Sequence, residues 1–156
     1  MARRLRPVGL DFVALAPVRY VFTRELSAPV EKVCGALESV PGWAEWFPRV
    51  TAARPVDAGA GRDITLTGGL RVRESVIAAE APEVYAYRVD VTNVPGARAI
   101  AEEWRPAPAA GGGTRVRWTF ATDGTAVHRP AMKAVRGGQA RAFRDAMTAL
   151  DRRLNT

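Results

Sequence analysis

Two acidic residues, Glu74 and Glu102, fall inside apolar alternations rather than in turns, which makes them the first candidates for chemistry. Leu70, Val72, Glu74 and Val76 share one strand phase, and Ile100, Glu102 and Trp104 share another. If those phases face an interior, two carboxyl groups enter an apolar space, where burial disfavours the charged form. A carboxyl so placed is a general acid or base, or a polar anchor for a ligand hydroxyl or carbonyl. Arg88 and Arg98 are the arginines offered as partners for one of them. The alternative is an ordinary exposed ion pair on the outer face of a sheet.

His128 is the only histidine and stands beside Pro130 at the turn into the last helix, a position that suits a turn or cap as well as proton transfer. It has no partners at metal-ligand spacing, so no metal site is expected. The single cysteine, Cys34, permits no internal disulfide and falls on a helix stripe as a buried thiol. There is no phosphate-binding glycine loop and no dinucleotide fingerprint, and no cofactor is expected.

The elements that must position these residues are short and regular. Val18–Leu26 reads as a strand with Val18, Tyr20, Phe22 and Leu26 in phase. Ser27 is placed to cap a helix with Pro29 in its first turn and Val30, Val33, Cys34 and Leu37 as its stripe. Pro41-Gly42 ends it, and Trp43–Phe47 reads as a second short helix before Pro48. Six strands follow: 50–56, 62–67, 70–78, 84–91, 98–105 and 114–122, separated by glycine and proline turns. Short turns imply antiparallel neighbours. From Pro130 to Leu154 the spacing of Met132, Val135, Phe143, Met147, Leu150 and Leu154 predicts one long helix, bent at Gly137-Gly138. The class is α+β: a sheet of six to seven antiparallel strands and a long terminal helix. Residues 1–16 form a basic leader of weak structure, a tail or an added edge strand, and 17–156 the domain proper.

Order and motif together resemble the START-like helix-grip superfamily, also called SRPBCC, and within it the polyketide cyclase/dehydrase-like subgroup. The residues that carry the likeness are Ser27-Ala-Pro-Val-Glu-Lys-Val33, Pro41-Gly-Trp-Ala-Glu-Trp-Phe-Pro48, Gly61-Arg-Asp-Ile-Thr-Leu66 with Gly68-Gly69, Glu74-Ser-Val76 and Gly113-Thr-Arg-Val-Arg-Trp118. The resemblance implies a curved sheet wrapped around the C-terminal helix, with a ligand held between them. Strand phase then nominates the wall. Arg115 and Arg117 face water, turning Val116, Trp118 and Phe120 inward. Leu66, Val72, Tyr87, Ile100 and Trp104 are candidate wall residues from the other strands, Trp46 from the short helix, and Met132, Phe143 and Met147 from the long one. For the aromatic residues, core packing is the competing reading.

Composition narrows the partners. The net charge of +7 is carried almost entirely by arginines spread from Arg3 to Arg153, with Lys32 and Lys133 the only lysines. No basic run is interleaved with aromatics, so no nucleic-acid partner is expected. No apolar run approaches the roughly twenty residues of a membrane span, and none follows the basic leader as a signal core. The expectation is a cytoplasmic monomer or homodimer that binds a small hydrophobic or aromatic, polyketide-like or lipid-like molecule. An enzyme of the cyclase/aromatase type, using Glu74, Glu102 or a tyrosine, and an interaction module with a filled interior are the alternatives.

Overall fold

Turns of a few residues leave successive strands side by side, and the sheet is built that way. The computed structural model describes residues 1–156. Strand β1 (Arg3–Arg4) and helix α1 (Leu10–Leu15) precede β2 (Val18–Leu26), which α2 (Val30–Glu38) and α3 (Trp43–Trp46) follow. Then β3 (Val50–Val56), β4 (Gly61–Leu66), β5 (Arg71–Glu80), β6 (Val84–Thr92), β7 (Ala97–Pro108) and β8 (Thr114–Gly124) lead into α4 (His128–Ala134) and α5 (Arg136–Leu154). Seven strands form one antiparallel path, β2-β8-β7-β6-β5-β4-β3. The expected helix-grip architecture is present. No helix is long and apolar enough to cross a membrane.

Curvature has local causes. The β5–β6 ladder shifts register between Arg73 and Glu74 and again between Val76 and Ala78, and such bulges bend a strand and increase its twist. Strands β6 and β7 pair only between Tyr85–Arg88 and Ala101–Trp104, then part. The basic leader fills the split. Arg3 and Arg4 pair with Thr92 and Val91, and the Leu5 and Arg6 amides donate to the carbonyls of Asp90 and Arg98 at 2.8 and 2.9 Å. Backbone groups that the split leaves without strand partners are thereby satisfied. Leu5, Val8 and Val13 are buried, so the leader is part of the packed structure rather than a weakly structured tail.

Two expectations about helix ends change. Ser27 does not cap α2; the Asp151 carboxylate of α5 instead accepts the Ser27 and Ala28 amides, both at 3.0 Å. Asp151 thereby ties α5 to the turn that leads into α2, whose N-cap is Pro29 with no side-chain cap. The single helix expected over 130–154 is two helices, and the break is at Val135 (φ −90°, ψ 6°) rather than at the glycines. Gly137 and Gly138 lie within α5. The Arg49 guanidinium packs over Gly138 and donates to its carbonyl at 3.1 Å.

Candidate functional site

Cross-strand register sorts the inward side chains of the sheet into rows. One row runs Tyr87–Glu102–Phe120–Tyr20 from β6 to β2, and the next runs Tyr85–Trp104–Trp118–Phe22. Helices α3 and α5 press on the second row. Trp104 and Trp118 stack at 5.4 Å between ring centres, Trp118 stacks on Phe143 at 5.7 Å, and Trp43 meets Trp104 edge-on at 5.5 Å. Tyr87, Glu102 and Phe120 of the first row are left open to a cavity of about 460 Å³ between the sheet and the α4–α5 segment, and fourteen of its twenty lining residues are hydrophobic.

At one pole of this cavity the apolar lining stops. Arg62 and Glu74 stand directly opposite each other on β4 and β5, and the Arg62 Nε–H donates to Glu74 Oε1 at 2.6 Å. Both are almost wholly buried, 2% and 3% exposed. The guanidinium carbon lies 3.9 Å from the ring centre of Tyr87 and 4.3 Å from that of Trp43, so two π faces supplement its single carboxylate partner. Its Nη1 is buried with no hydrogen-bond partner. On β7 Glu102 accepts the Tyr87 hydroxyl at 3.1 Å and the Trp118 indole N–H at 2.9 Å, both on Oε1. The Tyr87 oxygen in turn accepts the Trp104 indole N–H at 3.1 Å. From the helix side Gln139 lines the same cavity, and its Oε1 is buried without a partner.

Electrostatics separates the two carboxyls. Burial pushes Glu102 up to about 7, Glu74 nearby pushes the same way, and Arg62 with the Tyr87 and Trp118 donors restrains it. The small surface that Glu102 keeps faces the cavity. Burial also raises Glu74, but against the direct pull of the Arg62 guanidinium. Burial favours a neutral Arg62, yet Glu74 outweighs it and holds the guanidinium protonated. Tyr87 is pushed well above the ordinary phenol value by burial and by the Glu102 charge, so it stays a hydroxyl. The arrangement is one fixed cation with a spare donor beside one carboxyl that gains and loses its proton near neutrality.

Residues 17–155 match the model of the family described as polyketide cyclase / dehydrase and lipid transport. The chain belongs to this family. Solved structures with the same fold include the protein XoxI from Bacillus cereus (TM-score 0.74, 13% identity, covering 88% of this chain and 95% of that one). A START superfamily protein from Mycobacterium smegmatis matches with a TM-score of 0.70 at 12% identity, over 88% and 97% of the two chains. The Zhui aromatase/cyclase from a Streptomyces species matches with a TM-score of 0.67 at 19% identity, over 88% and 93%. No curated protein matches.

Within this member of the polyketide cyclase / dehydrase and lipid transport family, the nominated residues divide by row. Glu74, Glu102, Leu66, Val72, Tyr87, Ile100, Phe120 and Met132 line the cavity. Trp46, Trp104, Trp118, Phe143 and Met147 do not: they are buried behind it in the aromatic core under α3 and α5. Trp43 at the start of α3 and Phe47 just past its end line the cavity, while Trp46 lies in the core. Neither arginine offered for the carboxylates pairs with them. Arg88 binds Asp90 at 2.9 Å and Arg98 is exposed. On β7 the carboxylate that pairs with an arginine on the outer face is Glu103, which meets Arg105 at 3.0 Å. Arg62 was missed although it shares its strand phase with Ile64 and Leu66, which was the available signal. His128 lies off the cavity lining, its ring nitrogens 2.9 Å from the Thr122 hydroxyl and 3.2 Å from the Pro95 carbonyl, anchoring the start of α4.

Proposed function

We propose that the cavity binds a small, largely apolar molecule that carries a carbonyl or hydroxyl oxygen. The observation that supports this reading is the buried polar cluster of Arg62, Glu74, Tyr87 and Glu102 at one pole of a cavity of about 460 Å³ whose lining is mostly hydrophobic, with Gln139 and Arg49 on the helix side. Such a volume suits a molecule of drug-like or metabolite size. The apolar wall takes the skeleton by burying its surface. The unpartnered Arg62 Nη1 takes an acceptor oxygen, and the unpartnered Gln139 Oε1 takes a hydroxyl or N–H elsewhere on the ligand. A donor left buried without a partner costs free energy, so the ligand oxygen that meets it is recognised with discrimination. Displacement of a hydrophobic fluorescent dye is the direct test. The protein should bind the dye, and Leu66→Trp, which fills the lumen from a half-buried position, should abolish binding while leaving the fold intact. Equal dye binding by that variant would place the dye elsewhere and remove the proposal.

A second reading, turnover, is favoured by one particular group. Glu102 titrates at about 7 inside the cavity, where a general acid or base is most effective at neutral pH. In a cyclase or aromatase type of reaction it takes a proton from a carbon next to a bound carbonyl, and the Arg62 Nη1–H donates to the enolate oxygen that forms. Water loss or ring closure then follows from the folded conformation the wall imposes. Glu102→Gln preserves size and the acceptor oxygen while removing proton transfer. If the protein catalyses, that change stops turnover and keeps binding; if turnover persists, Glu102 is an anchor only.

A further inference from the structure

The mouth of the cavity carries a surface that its interior chemistry does not use. Residues 125–144, which span α4 and the first half of α5, hold five cations (Arg129, Lys133, Arg136, Arg141 and Arg144) and no acidic residue. All five are exposed, and only Arg129 is in an ion pair, with Asp123 at 2.9 Å. Arg129 and Lys133 stand one turn apart on α4, and Arg136 opens α5 just past the break at Val135. A second basic group adjoins it: Arg49 and Arg141 flank an open groove beside Gly138, with Asp145 as its one carboxylate.

Inside this ring of charge the rim of the cavity is apolar. Leu70 from the β4–β5 turn, Val94 from the β6–β7 turn, and Met132 and Val135 from the helical segment line the cavity and reach the surface. Val135 is 43% exposed, and Val127 at the start of α4 is 78% exposed. Ala131 and Ala134 are also exposed on α4. Cations, four of the five without a carboxylate partner, around exposed apolar side chains at the opening of a mostly apolar lumen complement a surface that is anionic outside and apolar beneath. We infer that this face docks on an anionic phospholipid bilayer, with the collar of Leu70, Val94 and Val135 against the acyl boundary and the arginines and lysine among the head groups. A lipophilic ligand then enters or leaves the lumen without crossing water. An acidic protein would complement the charge but leave the apolar collar needing a matched partner surface; a bilayer supplies both layers at once. The docking stands apart from what the lumen binds, and either can fail without the other.

Co-sedimentation with vesicles tests it. The protein should bind vesicles of 70% phosphatidylcholine and 30% phosphatidylglycerol, bind pure phosphatidylcholine much more weakly, and lose the difference in high salt, where the charges are screened. Each basic residue near an anionic leaflet strengthens partitioning about fivefold. Lys133→Gln with Arg141→Gln, neither of which lines the lumen, should therefore weaken vesicle binding about 25-fold. Val127→Asp should weaken it further. Dye binding in the lumen, measured on the same variants, reports that the fold and the cavity are intact. Absence of vesicle binding, equal binding to both vesicle types, or full binding by the double variant would overturn the inference. Self-association blocked by the same substitutions, with no affinity for vesicles, would assign the face to a second copy and overturn it equally.

Discussion

Replacing Glu102 by Gln should stabilise the protein above neutrality, a result that a merely structural glutamate would not give. The carboxyl titrates at about 7 in the folded chain, raised by burial and by Glu74, against 4.5 for an ordinary glutamate. Between those values the folded state keeps a proton that the unfolded state has released. A raised carboxyl value therefore supports folding fully below pH 4.5, and that support is lost as pH rises towards 7. At 1.36 kcal/mol for each pH unit, the whole interval is worth about 3 kcal/mol. Glutamine stays neutral throughout and keeps an acceptor for Tyr87 and Trp118. Urea unfolding at pH 5, 6, 7 and 8 measures the effect. The wild type should lose about 2.5 kcal/mol across the series from this group, while Glu102→Gln should be flatter, near wild type at pH 5 and more stable at pH 8. A parallel offset of the two curves, or a variant less stable at pH 8 than at pH 5 by the wild-type margin, would refute the reasoning. The outcome also bears on function, because a residue that weakens the fold at working pH is retained for something other than stability.

Three further outcomes follow from the same structure. Arg62→Met leaves the Glu74 carboxyl buried without its partner, and should cost about 3–5 kcal/mol, or about 6–20 °C in melting temperature; adding Glu74→Gln should recover most of it, and simple additivity would contradict the pairing. Trp104→Ala and Trp118→Ala empty the stacked core and should each cost about 3–5 kcal/mol by denaturant unfolding, whereas a loss below about 1 kcal/mol would show that these rings are wall rather than core. Deleting residues 1–9 removes the buried Leu5 and Val8 and reopens the β6–β7 split, for about 3–6 kcal/mol and faster amide exchange in β7; unchanged stability would show the leader dispensable.

Period and phase carried most of the fold. Alternation placed Val116, Trp118 and Phe120 inward and Arg117 outward, because a strand cannot turn one side chain without turning all of them. The same phase put Glu74 and Glu102 on the inner face. What phase does not contain is position along the sheet. Trp104 and Glu102 are two residues apart on one face, yet one lies in the core and the other in the cavity, because α3 and α5 cover one cross-strand row and leave its neighbour open. That depends on where α3 lands, which no local spacing records. The Arg62–Glu74 pair was hidden for a different reason. An arginine in a strand is ordinarily a solvent-facing residue, so strand phase alone points to Arg88 and Arg98 and gives no reason to prefer Arg62. Only the β4–β5 register, with Arg62 opposite Glu74, selects the partner. Of the two readings of the leader, the added strand is the one present, but its place was not legible: Arg3–Arg6 is held by backbone bonds into a gap that opens only because β6 and β7 diverge.

Native mass spectrometry of the protein as purified tests the central claim most directly. The account predicts a population heavier than the bare chain by the mass of one small, mostly apolar, oxygen-bearing molecule, retained by Glu102→Gln and lost from Leu66→Trp. A bare chain that takes up no hydrophobic ligand on addition, or an adduct that Leu66→Trp retains in full, would contradict it.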